Sequence, residues 1–157
     1  GLQNVVELAQ AAGIDALDVV YATRAYLTRH GAGPLPFELA EKPYERIFDA
    51  TNTPHPYQGT LRFAPLNFDL LKTSITDDLG FATGKLTVNT MLGVSCMDQL
   101  DEEAVYIHEG HRRTATPGAM LDHLMVNMGL DKVLASFGPT RATIDRVPLY
   151  ANLFHAI

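Results

Sequence analysis

The sequence has one cysteine, no tryptophan, no long apolar run and no excess of basic residues among its 157 residues. A lone cysteine, Cys96, excludes a disulfide within the chain and fits a reducing compartment. No stretch approaches the roughly 18 apolar residues of a membrane-spanning helix, and no segment has the composition of a signal peptide. We therefore expect a cytoplasmic protein that does not enter a membrane.

The shortage of basic residues argues against nucleic-acid binding. Lys and Arg number 12 against 18 Asp and Glu, so the net charge is −6. Non-specific binding to nucleic acid needs a basic face that releases counterions, and Arg112-Arg113 is the only tight basic pair. A small anionic ligand stays compatible with this composition, because one or two arginines are enough to hold it.

What the sequence does contain is the composition of one globular domain over residues 1–157, with 46% hydrophobic and 19% charged residues. Three helices are predicted from apolar spacing and capping residues. The first has Val5, Leu8, Ala9 and Ala12 on its apolar face and Gly13 at C′. The second runs over 67–79 from an Asn67 N-cap, with Gly80 at C′. The third begins at Thr116 with Pro117 at N1, buries Leu121, Leu124, Met125 and Met128, and ends at Gly129.

Strands are predicted over 17–28, 91–97, 104–108 and 132–137, with 104–108 paired to 91–97. Glycines and prolines fix a shaped loop at 31–36, and 41–56 reads as a long connection. Helices and strands alternate without a strict βαβ order. This favours an α+β fold, a mixed sheet with packed helices.

Short motifs alone give little chemistry. There is no Gly-x-x-x-x-Gly-Lys-Ser/Thr, no Gly-x-Gly-x-x-Gly and no Gly-x-Ser-x-Gly. His108-Glu109-Gly110-His111 has two histidines three apart, which we interpret as a turn between strands in preference to a metal site. Cys96 lies in an apolar run and is interpreted as a buried structural thiol.

Four further side chains follow strands or glycine loops. Asp98 and Asp101 could bind a cation or act as acid and base, or simply close a strand as turn residues. Arg62 and Arg141 each follow a glycine loop, which suits an anion site or a solvated surface position. The residues on their own predict an α+β domain that binds a small anion.

Four segments together resemble adenylosuccinate synthetase, in the right order. The first is followed by Glu38 and runs Ala25-Tyr26-Leu27-Thr28-Arg29-His30-Gly31-Ala32-Gly33-Pro34-Leu35-Pro36. It is similar to the family pattern Lys-Ala-Tyr-x-Thr-Arg-Val-Gly-Ala-Gly-Pro-Phe-Pro-Thr-Glu. This is the most specific match in the chain.

The other three segments extend the resemblance over about residues 15–144. Residues 58–67 are similar to the family loop Thr-Thr-Gly-Arg-Arg-Arg-Arg-Thr-Gly-Trp-Leu-Asp, which closes over L-aspartate. Residues 94–101 are similar to Leu-Thr-Lys-Leu-Asp-Val-Leu-Asp, the guanine-recognising strand end. Residues 136–141 are similar to Ser-Thr-Gly-Pro-Asp-Arg, which caps the guanine.

The resemblance implies a ligase that joins L-aspartate to the 6-position of a purine nucleotide, converting IMP to adenylosuccinate with GTP as phosphoryl donor. The implied aspartate-binding loop is Pro56, Tyr57, Gln58, Gly59, Thr60, Leu61 and Arg62. The implied nucleotide-binding residues are Arg62, Cys96, Met97, Asp98, Ser136, Phe137 and Gly138. The Asp98 carboxylate would accept hydrogen bonds from guanine N1–H and the 2-amino group.

Two departures from the family pattern leave the substrates open. Cys96 stands where the guanine motif has a lysine, and Thr60 stands where the family has an arginine that contacts ribose. Both changes would fit the 2-aminoadenylosuccinate synthetase-like branch, which takes dGMP as acceptor and an adenine nucleotide as donor. A non-catalytic domain that binds nucleotide or aspartate is a further alternative.

The family's glycine-rich phosphate loop, catalytic Asp and His, and Mg²⁺ ligands precede the part that this sequence resembles. The resemblance therefore implies the C-terminal part of such an enzyme. It places Mg²⁺ in the absent N-terminal part, with GTP or ATP as co-substrate and a homodimer for the full-length protein. Catalysis needs the whole constellation positioned together, so we expect no catalytic or metal-binding residues and no activity in this chain alone.

Overall fold

A computed structural model describes residues 1–48, 54, 56–57 and 59–149. In this part of the chain there are three α-helices: α1 (Leu2–Ala11), α2 (Phe68–Gly80) and α3 (Pro117–Met128). The same residues form eight strands: β1 (Ala16–Arg24), β2 (Tyr26–Arg29), β3 (Arg62–Asn67), β4 (Thr87–Ser95), β5 (Ala104–His108), β6 (His111–Ala115), β7 (Lys132–Ser136) and β8 (Ile144–Pro148). None of the helices among the described residues is long and apolar enough to cross a membrane.

The strands form two four-stranded mixed sheets. The first has the order β1-β4-β7-β8, in which β1, β4 and β7 are parallel and β8 is antiparallel. The second has the order β2-β3-β5-β6, in which the β3–β5 pair is parallel and the outer pairs are antiparallel. The predicted α+β fold with a mixed sheet is therefore confirmed, with two sheets in place of one.

The predicted helix caps are confirmed at α2 and α3. The Asn67 side chain accepts a hydrogen bond from Leu70 N at 3.0 Å, and Thr116 Oγ1 accepts one from Ala119 N at 3.3 Å. Gly129 ends α3 with φ 67°. At the end of α2 the prediction is wrong by one residue, because Gly80 is its last helical residue and Phe81 is the C-cap.

The predicted apolar face of α1 is wrong. Leu2, Val6 and Ala9 are buried, whereas Val5 and Leu8 are 44% and 71% exposed. The buried set and the predicted set lie on neighbouring sides of one helix. Apolar spacing alone does not show which of the two sides is buried. The choice is made by Asp78 of α2, whose Oδ1 accepts the backbone N–H of Leu2 at 2.8 Å and fixes the helix orientation.

Two strand predictions are corrected. The run over 17–28 is broken at buried Ala25, so that β1 belongs to the first sheet and β2 to the second. β5 does not pair with β4 as expected; it pairs with β3 and β6 in the other sheet. The chain changes sheets after β4 because Cys96 adopts a left-handed conformation (φ 64°) and a 3₁₀ turn, Met97–Gln99, follows it.

The main core lies between the helices and one face of the first sheet, and it also contains side chains of the second sheet such as Leu66 and Tyr106. The buried side chains that form it include Leu92 and Val94 of β4, Val133 and Ala135 of β7, and Leu121, Leu124 and Met125 of α3. α1 packs on the same face, against Val19, Tyr21 and Val88. The opposite face of β1 is exposed at Asp18, Val20 and Ala22.

Candidate functional site

The glycine-rich loop after β2 is held by two arginines from neighbouring strands. Arg29 ends β2 and lies directly opposite Arg62, which begins β3. Arg62 Nη1 donates to the carbonyl oxygens of Gly31 at 2.8 Å and Gly33 at 3.0 Å. Arg29 donates from Nε and Nη2 to the carbonyl oxygen of Ala32 at 3.3 and 3.1 Å. Three consecutive loop carbonyls are therefore fixed by guanidinium groups.

Glu38 completes this arrangement. Leu39 N donates to Phe63 O at 2.8 Å, which brings Glu38 alongside Arg62. The carboxylate then accepts two hydrogen bonds from Arg62, Nε to Oε1 at 2.7 Å and Nη2 to Oε2. This bond from Arg62 is the main cause that lowers the pKa of Glu38 below its ordinary value. A guanidinium has five N–H donors, so one donor of Nη2 is left for a ligand.

These groups border an open cleft of about 510 Å³, lined by Gly31, Ala32, Gly33, Tyr57, Gly59, Thr60 and Arg62. Of the predicted aspartate loop, Pro56, Tyr57, Gly59 and Thr60 are exposed, and Leu61 and Arg62 are half-buried. Tyr57 is 91% exposed. Gln58 lies outside the described residues. The first two family-like segments thus meet at one cleft.

Of the predicted nucleotide-binding residues, Arg62 begins β3 at the cleft, and the others lie at the carboxyl ends of parallel strands β4 and β7. Cys96 is half-buried, Met97 is buried and Asp98 is exposed on the 3₁₀ turn after β4. Since β4 and β7 are adjacent, this turn packs against β7, which ends at Ser136. The Cys96 side chain is only partly buried, which corrects the expectation of a buried thiol.

The loop after β7 is tightly bonded to itself. Ser136 Oγ donates to Gly138 O at 2.9 Å, and Phe137 N donates to Thr143 O at 2.8 Å. The Phe137 side chain is 42% exposed. An aromatic surface is therefore exposed just after β7, the strand against which the Asp98 turn packs.

Tyr26 joins the two regions. It starts β2, which leads to the cleft, and its hydroxyl donates to Oε1 of Gln99 on the 3₁₀ turn. Gln99 belongs to the third family-like segment and Tyr26 to the first. The loop of β2, the strand end of β4 and the strand end of β7 are therefore connected through direct contacts.

The His108-Glu109-Gly110-His111 segment is a β-hairpin turn, as interpreted from the sequence. His108 and His111 are paired across β5 and β6, and the two residues between them have φ of 52° and 70°. Two positive φ values are typical of a type I′ turn. Among the described residues, no group of three or more His, Cys, Asp or Glu side chains is placed to hold a metal ion.

The comparisons with known proteins add no relative. No family model matches the chain, and no curated protein matches it.

The roles of Arg29, Glu38 and Tyr26 are missing from the sequence prediction. All three lie in the first family-like segment, but their partners are 3 to 73 residues away in the chain. A sequence motif does not predict which carbonyl or carboxylate group an arginine side chain will bind.

Proposed function

We propose that this chain is the C-terminal part of a purine-nucleotide ligase of the adenylosuccinate synthetase type, which joins L-aspartate to the 6-position of IMP with hydrolysis of a nucleoside triphosphate. The observation that carries the proposal is the connection of all four family-like segments. Arg62 bonds to the loop of the first segment, Tyr26 of the first bonds to Gln99 of the third, and the third packs against β7, where the fourth begins.

The cleft at Arg62 is suited to an amino-acid carboxylate. One N–H of Arg62 Nη2 remains for a ligand, and the exposed Thr60 hydroxyl lies on the same wall. Glu38 holds the guanidinium in place and neutralises its charge. In this proposal Arg62 shapes the loop as well as contacting aspartate, so a ligand carboxylate shares Arg62 with Glu38.

The base would bind at the ends of β4 and β7. Ligands commonly bind outside the carboxyl ends of parallel strands. The exposed Asp98 carboxylate offers two acceptor oxygens to a base edge that carries N1–H and a 2-amino group, and Phe137 offers an exposed apolar surface just after β7.

One observation favours the alternative with dGMP as acceptor and an adenine nucleotide as donor. The Cys96 thiol, at the position of the family lysine, is half-buried and packs against the core, with Sγ 3.9 Å from Ser95 Oγ. It offers a ligand neither the charge nor the reach of a lysine. This weakens the argument for GTP as donor.

The proposed reaction needs residues from another part of the enzyme. The exposed face of β1 belongs to a parallel part of the sheet, and such sheets are almost always covered on both faces. We propose that the N-terminal part of the enzyme covers this face and supplies the phosphate loop, the catalytic Asp and His, and Mg²⁺. The full-length protein would then be a cytoplasmic homodimer.

Titration with L-aspartate, followed by backbone amide shifts, tests the cleft. We expect saturable shifts at Gly31, Gly33 and Thr60, with affinity on the order of millimolar because the nucleotide that completes the site is absent. Arg62→Gln should abolish them, while Arg146→Gln, which removes an equally charged exposed residue from β8, should not. Equal shifts with D-aspartate, or shifts that survive Arg62→Gln, would contradict the assignment.

A further inference from the structure

A further cavity lies away from both of these regions. It has a volume of about 630 Å³, compared with about 510 Å³ for the cleft at Arg62. Its walls come from α2, β5, β6 and α3, and its polar lining includes Lys72, Tyr106, His108, Arg113, His123 and Asn127. None of these residues belongs to a segment that resembles the ligase family. A volume of this size accommodates a small organic molecule.

The inner wall is an ordered set of polar groups. Tyr106 Oη lies 2.6 Å from His123 Nδ1, and Asn127 Nδ2 lies 2.9 Å from His108 Nε2. Asn127 Oδ1 is buried and has no hydrogen-bond partner among the described residues. This atom is closed to solvent and therefore lies behind the cavity wall.

The rim of the cavity is cationic, although the chain is acidic overall. Lys72 of α2 and Arg113 of β6 both line it. Arg113 lies directly opposite Tyr106 across the β5–β6 pair, and therefore on the same face. The neighbouring Arg112 is on the other face of the strand, where its charge acts on Tyr44. Only one arginine of the basic pair therefore faces the cavity.

The nearby Asp69 carboxylate is already engaged. Its two oxygens accept the backbone N–H groups of Glu109 at 3.0 Å and Gly110 at 2.9 Å. The Gly110 hydrogen bond is the main cause that lowers the pKa of Asp69, and the charges of His108 and Lys72 act in the same direction. Asp69 therefore holds the hairpin turn and offsets only part of the positive charge of Lys72 and Arg113.

We propose that this cavity binds a small molecule through a phosphate monoester group, at a site separate from the ligase substrates. Lys72, Arg113 and His123 approach from three elements, and the two cations balance the charge of a dianion better than that of a singly charged carboxylate. The three terminal oxygens of a phosphate monoester match these three groups in number and arrangement. The organic part of the ligand lies toward Val126.

The test is a titration of the whole chain with phenyl phosphate, inorganic phosphate and benzoate, followed by the imidazole signals of His108 and His123. We expect saturable shifts with phenyl phosphate and weaker ones with inorganic phosphate. Benzoate, which keeps the ring but has only a carboxylate, should bind at least about tenfold more weakly. Benzoate binding as tightly as phenyl phosphate would overturn the choice of phosphate.

Matched variants locate the binding. Arg113→Gln should weaken phenyl phosphate about tenfold, whereas Arg112→Gln removes the same charge from the opposite face and should leave it unchanged. Lys72→Met, on another element, is the second variant in case Arg113→Gln perturbs the hairpin. Equal effects of Arg112→Gln and Arg113→Gln, or no saturation in the unaltered chain, would overturn the proposal. Asp98→Ala and Arg62→Gln should leave this binding intact, so its outcome is independent of the ligase assignment.

Discussion

Arg62 and Glu38, 24 residues apart, form a two-pronged ion pair at the mouth of the open cleft. The same guanidinium also donates to the carbonyl oxygens of Gly31 and Gly33. Planar, bidentate geometry of this kind is specific to arginine. The pair therefore fixes the loop together with Arg29, whose guanidinium holds the Ala32 carbonyl.

Glu38→Gln should loosen the loop without unfolding the domain. Glutamine has one acceptor oxygen and no charge, so one prong of the pair is lost and the other is weakened. Both partners lie at the surface, with side chains 25% and 39% exposed, so we expect the unfolding midpoint to change little. Hydrogen exchange at the amides of Ala32 and Gly33 should become faster. Unchanged exchange would show that Glu38 does not hold the loop.

The same pair predicts how the loop responds to acid. The hydrogen bond from Arg62 lowers the pKa of Glu38 below its ordinary 4.5 in the folded state. The stabilisation of the loop by ionised Glu38 is therefore complete above about pH 4.5 and is lost as pH falls through the lowered pKa. Exchange at residues 31–33, corrected for intrinsic rates, should rise below pH 4.5 in the unaltered chain. In Glu38→Gln this rise should be absent.

Gly33 should tolerate no side chain. Its φ is 110°, and an added Cβ would clash with the guanidinium of Arg29. Gly31 also has a positive φ, 71°, but has open space around the Cβ position. We expect Gly31→Ala to cost about 1 kcal/mol from backbone strain alone, and Gly33→Ala to cost about 2–3 kcal/mol in chemical denaturation. Equal losses would indicate that Arg29 moves aside freely.

Asp78 should be important for attaching α1. It accepts the Leu2 N–H and the Tyr21 hydroxyl, each at 2.8 Å, and so ties α1 and β1 to α2. Asp78→Ala should lower the free energy of unfolding by about 1–3 kcal/mol, because two partly buried donors lose their acceptor. Asp77→Ala, at the exposed neighbouring position, is the matched control and should have little effect.

The Tyr21 phenol should report the same contact. Burial, followed by the hydrogen bond to Asp78 and the Asp78 charge, raises its pKa to about 12 from 10.0. Because the folded-state pKa is raised, the stabilisation is complete below pH 10 and is lost as pH rises toward 12. Tyrosinate absorbance should show a late-titrating phenol that disappears in Tyr21→Phe. A Tyr21 that titrates with the exposed tyrosines would contradict this contact.

Local sequence signals predicted the helix caps and the hairpin turn but not the partners of the strands. Asn67 and Thr116 act on amides three residues away, so their pattern is visible in any window of the sequence. The partner of β5 is set by β3, some 40 residues earlier, and by the left-handed Cys96 that diverts the chain after β4. A non-glycine residue with positive φ leaves no reliable mark in the sequence.

The same limit applies to the candidate sites. The resemblance named Arg62 and Asp98 because they belong to contiguous motifs. The cavity around Tyr106 was not predicted, because its groups lie on four elements and each reads alone as an ordinary surface or core residue. Once β6 is known to be a strand, the sequence predicts that Arg112 and Arg113 lie on opposite faces of it. Which of the two faces a cavity depends on the elements that pack on each face.

The most direct test of the ligase assignment is isothermal titration of the chain with GTP, ATP, IMP and dGMP, using Asp98→Ala and the matched Asp77→Ala control. We predict saturable binding of a guanine nucleotide that weakens about 10- to 100-fold in Asp98→Ala and is unchanged in Asp77→Ala, since two hydrogen bonds to a carboxylate are lost. A preference for ATP over GTP would select the branch that uses an adenine nucleotide as donor. Nucleotide binding that Asp98→Ala leaves unchanged, or no binding of any purine nucleotide, would contradict the account.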